Sequence, residues 1–252
     1  MKKYFLFCLI LLLQNVYAEN YNILGISKNY PKEKQLALDN WRNKIIKLAN
    51  SNKETIFING STEKKMVALT FDDGPDTIVT PAVLDILKKY NVKATFFFIG
   101  KQIEENKEVV LRAFKEGHLV LNHSWNHSRF STISKKDIMQ EVETTEKILD
   151  KYIGKRPLLM RVPYGDINDI GLQQLKDLKY KLIFWSLDTL DWFEKTKDAI
   201  VEKVISNVRP GEIILMHSNS DKGATAEALS TIINVLKDRG YSFTTIDNFV
   251  NN

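Results

Sequence analysis

The sequence has almost no cysteine. Its single one, Cys8, lies in the short apolar run from Tyr4 to Leu13 near the start of the chain. The rest of the sequence can therefore form no disulfide bond and offers no thiolate as a nucleophile or a metal ligand. Long apolar stretches are also lacking, because this run is well short of the roughly 20 residues that a membrane-spanning helix needs.

Residues 1–18 show the pattern of a secretory signal peptide. Lys2 and Lys3 precede the apolar run, and the small residue Ala18 follows it at a suitable distance for cleavage. We predict cleavage after Ala18 and a secreted, cell-surface or cell-wall protein with no stable membrane span afterwards. The alternative is that the run is retained as a membrane anchor.

A strong excess of one charge is also missing. Removing residues 1–18 takes away two lysines and no acidic residue, so the net charge falls from +5 to +3. The basic residues are interleaved with acidic ones rather than clustered. This small and evenly distributed net charge indicates no nucleic-acid partner. The oligomeric state cannot be read from the sequence.

The chain divides into a polar, lysine-rich segment at 19–63 and a regular region at 64–252. The first segment contains one amphipathic helix around 33–50 and is interpreted as an N-terminal extension. In the second region, apolar runs that predict strands alternate with segments of helical spacing, which indicates parallel βα units and favours a barrel or partial barrel over an open sheet. The predicted strands are 66–71, 95–100, 118–122, 158–162, 181–187, 212–216 and 242–246. The predicted helices are 79–90, 104–116, 134–152, 168–179, 197–207 and 224–239.

Residues capable of chemistry follow the predicted strands. Catalytic groups of a (β/α) barrel cluster at the carboxyl ends of its strands, so we expect these side chains to meet there. They are Asp72, Asp73, His123, His127, Arg161, Pro163, Tyr164, Asp188, Asp191 and His217. His118 instead opens a strand at the opposite rim, which favours a structural role.

The His123-Ser-Trp-Asn-His127 spacing predicts two imidazoles on one side of a helical turn, which suits a divalent metal. A lone HxxxH is a weak signal, but an Asp-Asp pair at a neighbouring strand end supplies an anionic third ligand. Nitrogen and oxygen ligands without sulfur suit zinc, with cobalt, nickel or manganese as alternatives. Three protein ligands leave room for water and substrate, as expected of a catalytic metal.

The pair Asp72-Asp73 has two readings. Asp-Asp-Gly-Pro is favourable turn chemistry after a strand, and beside the two histidines the pair also predicts one carboxylate on the metal and one free to accept a proton. Arg161 is either a surface ion-pair partner or the group that keeps one of these carboxylates ionised and oriented.

Five segments, in order, resemble the motifs of the polysaccharide deacetylases, the NodB-type enzymes of carbohydrate esterase family four. They are Thr70-Phe-Asp-Asp-Gly-Pro75, His123-Ser-Trp-Asn-His127, Arg161-Val-Pro-Tyr-Gly165, Asp188-Thr-Leu-Asp-Trp192 and Leu215-Met-His217. The resemblance covers about residues 64–252 and leaves 19–63 unexplained.

The resemblance implies a distorted (β/α)7-type barrel in which Asp73, His123 and His127 hold the metal. It implies Asp72 as catalytic base and His217 as catalytic acid. By the same resemblance Arg161 supports Asp72, Asp191 tunes His217, and the Tyr164 backbone N–H helps hold an oxyanion. The substrate-binding residues that it implies are Pro163, Tyr164, Trp192 and Leu215. Trp125 is a further candidate for an aromatic wall.

The implied activity removes N-acetyl groups from a cell-wall polysaccharide, peptidoglycan first and chitin-like oligomers second. Ser218 stands where many family members carry an acid, and residues 217–229 resemble the branch that deacetylates muramic acid. That branch often has Asn at the position of Asp73. The alternatives are an O-acetyl xylan esterase, whose mechanism uses the same residues, and a non-catalytic glycan-binding module.

Overall fold

The computed structural model describes residues 21–27, 29–154 and 158–250. The signal peptide predicted at 1–18 lies outside the described residues. Within the described part, no helix combines the length and apolar character that crossing a membrane requires.

Parallel strands form one curled sheet against which helices pack, so the barrel-type fold predicted from the sequence is confirmed. The strands are β1 (Ile56–Phe57), β2 (Met66–Asp73), β3 (Thr95–Phe98), β4 (Leu119–Asn122), β5 (Leu159–Met160), β6 (Lys181–Ile183), β7 (Leu187–Asp188), β8 (Ile213–His217) and β9 (Ser242–Phe243). Their order in the sheet is β1-β6-β5-β4-β3-β2-β8-β7, and β9 pairs with β2.

The helices alternate with the strands for most of the chain. They are α1 (Lys32–Ser51), α2 (Val79–Lys89), α3 (Gly100–Glu105), α4 (Lys107–Lys115), α5 (Lys135–Ile153), α6 (Asp169–Asp177), α7 (Lys197–Asn207), α8 (Gly223–Asp238) and α9 (Asp247–Val250). A 3₁₀ turn, Pro163–Gly165, follows β5. The N-cap of α5 is Ser134, whose hydroxyl accepts a hydrogen bond from the Asp137 N–H, and Gly154 ends the helix in a left-handed conformation.

Two predicted elements are each divided in the structure. The prediction of one continuous helix at 104–116 is wrong. Asn106 leaves helical geometry (φ −125°, ψ 42°) and separates α3 from α4. The strand predicted at 181–187 is also wrong as one unit. Its backbone changes partners, since Phe184 N–H donates to Phe57 and Ser186 N–H donates to Ile213.

This change of partner makes residues 181–188 a seam between the two ends of the sheet. The first part, β6, pairs with β5 and β1, and the second part, β7, pairs with β8. The N-terminal segment adds to the seam, because Leu24 bridges Leu187 and Asn59 bridges Glu212. The described part of the N-terminal segment is therefore joined to the sheet by backbone hydrogen bonds, for example from the Leu24 N–H to Ser186 and from the Gly60 N–H to Gly211.

The alternation of side chains along β2 directs polar groups towards the inside of the curled sheet. Val67, Leu69 and Phe71 pack into one apolar core, and Ala68 packs into the other. Because side chains alternate between faces, Asp72 shares the face of Ala68. The strand thus delivers a carboxylate to the interior at its carboxyl end.

Candidate active site

A cavity of about 380 Å³ lies at the carboxyl ends of the strands. The sequence-predicted residues that line it are Asp72, Asp73, His123, His127, Tyr164, Asp188, Trp192, Leu215 and His217. Arg161 and Asp191 are buried behind this lining, and each contacts a residue that lines the cavity. Pro163 is buried at the start of the 3₁₀ turn and does not line the cavity.

Asp73, His123 and His127 form a cluster whose ligand atoms all lie within 4.8 Å of one another. Oδ1 of Asp73 is 3.2 Å from Nε2 of His127 and 3.6 Å from Nε2 of His123. This oxygen is buried, and no group among the described residues forms a hydrogen bond with it. A buried carboxylate oxygen facing two imidazole nitrogens fits a divalent cation, which would satisfy all three atoms.

The tautomer of His123 also fits a metal ligand. Its Nδ1 lies 2.7 Å from the carbonyl oxygen of Arg161. Because a carbonyl only accepts hydrogen bonds, Nδ1 carries the proton and Nε2 keeps its lone pair towards Asp73.

The loop that carries the two histidines is not the helical turn that their spacing predicted. Residues 123–129 contain no helix, and both Ser124 (φ 67°) and His127 (φ 60°) have left-handed backbone conformations. These two reversals bring the rings to a centroid distance of 5.0 Å. The spacing was therefore informative about the pair, but the prediction of a helical turn was wrong.

Glu141 on α5 holds this loop in place, although no local pattern in the sequence indicated such a role. One of its carboxylate oxygens accepts hydrogen bonds from the backbone N–H groups of Trp125 (3.0 Å) and Asn126 (2.8 Å). The other oxygen accepts from the Asn126 side chain and from the Ser128 hydroxyl. Glu141 thus acts on the loop as a buried anionic cap between the two histidines.

Asp72 forms a buried ion pair with Arg161. Nη1 of Arg161 donates to Oδ1 of Asp72 at 2.7 Å and to the Thr70 hydroxyl at 2.9 Å. The remaining guanidinium nitrogens donate to the carbonyl oxygens of Ile183 and Phe184. Arg161 is fully buried, so it is a fixed positive charge and not a surface ion-pair partner. Oδ2 of Asp72 remains on the cavity side, 3.8 Å from Nε2 of His123.

His217 stands beside Asp72 because β8 and β2 pair in a register that aligns these two residues. Nδ1 of His217 lies 2.7 Å from Oδ1 of the buried Asp191. Burial alone would lower the pKa of His217, but the carboxylate of Asp191, with Asp73 and Asp72 beyond it, raises the pKa to about 10. The imidazole is therefore held as a cation that can donate a proton.

Asp188, the last residue of β7, positions Trp192 at the wall of the cavity. Its Oδ1 accepts hydrogen bonds from the Leu190 N–H (2.8 Å) and from Nε1 of Trp192 (3.2 Å). Burial raises the pKa of Asp188 to about 6. Leu215 on β8 aligns with Asp188 and forms an apolar part of the same cavity.

Tyr164 is in a left-handed conformation (φ 58°) and its side chain is half exposed. Its ring lies 4.4 Å from the ring of His127, and the Arg129 guanidinium covers it at 3.9 Å. The 3₁₀ turn thus places Tyr164 directly beside the proposed metal site. Trp125 does not line this cavity but a separate one of about 270 Å³.

Sequence reasoning missed several residues that line the main cavity, namely Leu38, Trp41, Arg129, Trp185 and Lys222. None belongs to a motif with metal-ligand or acid–base spacing. His118, in contrast, does not line the cavity, and its Nδ1 accepts a hydrogen bond from the Ala94 N–H.

The chain is similar to known polysaccharide deacetylases. The family model for polysaccharide deacetylase matches residues 59–183. The peptidoglycan-N-acetylglucosamine deacetylase PgdA of Listeria monocytogenes is 40% identical over 183 residues, covering 73% of this chain and 38% of the relative. This chain thus spans well under half of the PgdA sequence. The peptidoglycan-N-acetylmuramic acid deacetylase PdaC of Bacillus subtilis is 35% identical, covering 93% of this chain and 47% of the relative.

A solved structure extends the likeness to three dimensions. The Bc1960 peptidoglycan N-acetylglucosamine deacetylase superimposes with a TM-score of 0.77 at 36% identity, covering 80% of this chain and 95% of that one. Identity at this level over nearly the whole of a relative shows common descent as well as a common fold. The chain belongs to the polysaccharide deacetylase family.

Proposed function

We propose that this protein is a metal-dependent N-deacetylase of a cell-wall polysaccharide, which releases acetate and leaves a free amino sugar. The observation that carries the proposal is that three kinds of group line one cavity. They are the cluster of Asp73, His123 and His127, the carboxylate of Asp72 fixed by Arg161, and the imidazole of His217 held as a cation by Asp191.

The ligand atoms suit a divalent cation, with zinc first and cobalt, nickel or manganese as alternatives. When bound at this position, such a metal polarises an amide carbonyl and lowers the pKa of water. Asp73 supplies the anionic ligand, and His123 and His127 supply the neutral ones. The carbonyl of Arg161 fixes the ring of His123 for this task.

Asp72 is the proposed general base. Arg161 occupies its Oδ1, so Oδ2 is free to accept the proton of the attacking water. The water oxygen forms a bond to the acetyl carbon, and the backbone N–H of Tyr164 is the proposed donor to the resulting oxyanion. Such a donor contributes roughly 3–4 kcal/mol.

His217 is the proposed general acid. The carbon–nitrogen bond breaks as the imidazolium gives its proton to the sugar nitrogen, which leaves poorly without one. Asp191 holds Nδ1 of the ring, so Nε2 faces the cavity. Trp192 and Leu215 are the proposed walls around the sugar and the acetyl group, and Pro163 shapes the turn that carries Tyr164.

Peptidoglycan is the proposed substrate, because the named relatives act on its N-acetylglucosamine or N-acetylmuramic acid. We accordingly propose that the protein acts outside the cell, at its surface or wall, after cleavage of the predicted signal peptide at Ala18. We also propose residues 64–252 as the catalytic domain and 19–63 as its N-terminal extension.

Acetate release from defined glycans tests the proposal. Purified protein is incubated with peptidoglycan fragments, chitin oligomers and acetylated xylan, and the lost acetyl groups are mapped by mass spectrometry. We expect release from peptidoglycan that EDTA abolishes and zinc or cobalt restores. Release from xylan alone would show an O-acetyl esterase, and binding to glycan without any acetate would show a non-catalytic module.

A further inference from the structure

The N-terminal segment reaches into the cavity, although it precedes all five family motifs. Helix α1 contributes Leu38 and Trp41 to the cavity lining. The two side chains are three residues apart, so they project from the same face of the helix. Both are partly buried. The cavity therefore has an apolar wall that does not come from the strand ends.

Trp41 is held rigidly in this wall. Its ring stacks on that of Trp185 with centroids 5.0 Å apart and an angle of 25° between the planes. Its Nε1–H donates to the carbonyl oxygen of Gly165 at 3.0 Å. Gly165 has a φ of 58°, and a Cβ added there would lie 2.5 Å from the Trp41 ring. The indole is thus packed directly against the turn that carries Tyr164.

The segment also supports the wall formed by Trp192. The ring of Tyr30 meets the ring of Trp192 edge-on, with centroids 5.6 Å apart. Trp192 is fixed on its other side by the hydrogen bond from its Nε1 to Asp188. Two aromatic walls of the cavity, Trp41 and Trp192, therefore depend on residues that precede the family motifs.

We propose that Trp41 is a specificity-determining residue that contacts the glycan beyond the reacting acetamide. This inference rests on the proposed deacetylase function. The groups assigned to the reaction lie on or just after β2, β4, β5, β7 and β8, whereas Trp41 comes from α1 and packs on Trp185 and Gly165. Sugar rings present C–H faces that pack well on rigid, amphipathic aromatic rings. Trp41 accordingly stabilises the binding of an oligosaccharide and contributes little to a substrate that consists of the acetyl group and a small leaving group.

The test compares Trp41→Ala and Trp41→Leu with wild type on two substrates, an N-acetylglucosamine oligomer and 4-nitrophenyl acetate. We expect the KM for the oligomer to rise roughly 10-fold, the equivalent of one lost aromatic contact, with kcat nearly unchanged. Hydrolysis of 4-nitrophenyl acetate should change less than about 2-fold, since that substrate does not reach α1. Leu36→Ala, an exposed change on the same helix, is the matched control and should leave both substrates unaffected.

Trp41→Leu fills much of the indole volume without its flat face, so it tests the proposal even where Trp41→Ala unfolds. An equal loss on both substrates, or an unchanged KM for the oligomer, would overturn the inference. Wild-type protein that releases no acetate from any glycan would instead overturn the proposed function. In that event, calorimetric binding of the same oligomer to wild type and Trp41→Leu still decides the inference, because equal affinities would refute it.

Discussion

Asp191 holds His217 through both of its carboxylate oxygens. Oδ1 lies 2.7 Å from Nδ1 of the ring, and Oδ2 accepts a hydrogen bond of 2.7 Å from the His217 backbone N–H. The Thr225 hydroxyl donates to Oδ2 as well. The carboxylate is therefore fixed towards the imidazole, and this proximity overcomes burial to give His217 a pKa of about 10.

Replacing Asp191 by Asn should lower the pKa of His217, because the negative charge that stabilises the imidazolium is lost. The proposed acid then loses its proton at lower pH, so the alkaline limb of kcat/KM should move down by at least about one pH unit. The measurement is a pH profile with an N-acetylated oligomer. Thr225→Val, which removes only a hydroxyl from Oδ2, should move the limb less. An unmoved alkaline limb in Asp191→Asn would contradict the role of this pair.

Replacing each of the two adjacent aspartates by asparagine should have different effects on turnover and on zinc affinity. Asp72→Asn keeps an oxygen for Arg161 but cannot accept a proton, so kcat should fall about 10²–10⁴-fold while zinc affinity changes little. Asp73→Asn removes the anionic ligand, so zinc affinity should fall by at least about 10-fold, as even outer-shell changes do. Zinc binding by chelator competition and turnover are measured for both variants. Equal losses of zinc in the two would refute the division of roles.

Glu141→Gln should weaken metal binding although Glu141 is not a proposed ligand. The amide has one acceptor oxygen in place of two and loses the negative charge that fixes the N–H groups of Trp125 and Asn126. We expect zinc affinity to fall roughly 10-fold, in the range of outer-shell changes. Glu143→Gln, an exposed change on the same helix, is the control. A loss of zinc affinity of the same size in both variants would argue against the loop-holding role.

His118 should make the folded state sensitive to acid. Burial, with Lys93 nearby, lowers its pKa from the usual 6.5 to about 4. Between these values the unfolded chain binds a proton that the folded protein does not. The free energy of unfolding contributed by this residue is therefore complete above pH 6.5 and falls by up to about 3 kcal/mol as the pH drops towards 4.

His118→Gln tests this sensitivity, because glutamine keeps an acceptor for the Ala94 N–H but does not titrate in this range. Urea unfolding at pH 7.5, 6, 5 and 4 would be compared for the two proteins. The variant should show a flatter dependence of unfolding free energy on pH. Parallel curves for variant and wild type would show that other groups account for the acid sensitivity.

The order of strands and helices was largely predictable from the sequence, and so was the position of the chemistry. Asp72, His123 and His217 each follow or end an apolar run, and the fold gathers such positions at one rim. The cap of α5 at Ser134 was equally readable, since it depends on residues close together in the chain. Local patterns therefore accounted for the elements and for the groups at their ends.

The rest depended on contacts between distant parts of the chain. Nothing near Glu141 in the sequence indicates that its carboxylate binds backbone N–H groups of the 123–128 loop. The stacking of Trp41 on Trp185 likewise joins α1 to the end of β6. The division of the predicted strand at 181–187 arises because its backbone exchanges one partner strand for another. Periodicity reports which side of an element is buried, but not what covers it.

The seam at residues 181–188 also sets an order of events for the nascent chain. Leu24 and Ile56, which are synthesised early, have their partners at Leu187 and Leu182. Contacts between such distant residues form slowly, because a long loop must close before they are made. We expect the start of the chain to stay unpaired until residues 181–217 are available to it, and the sheet to close only then.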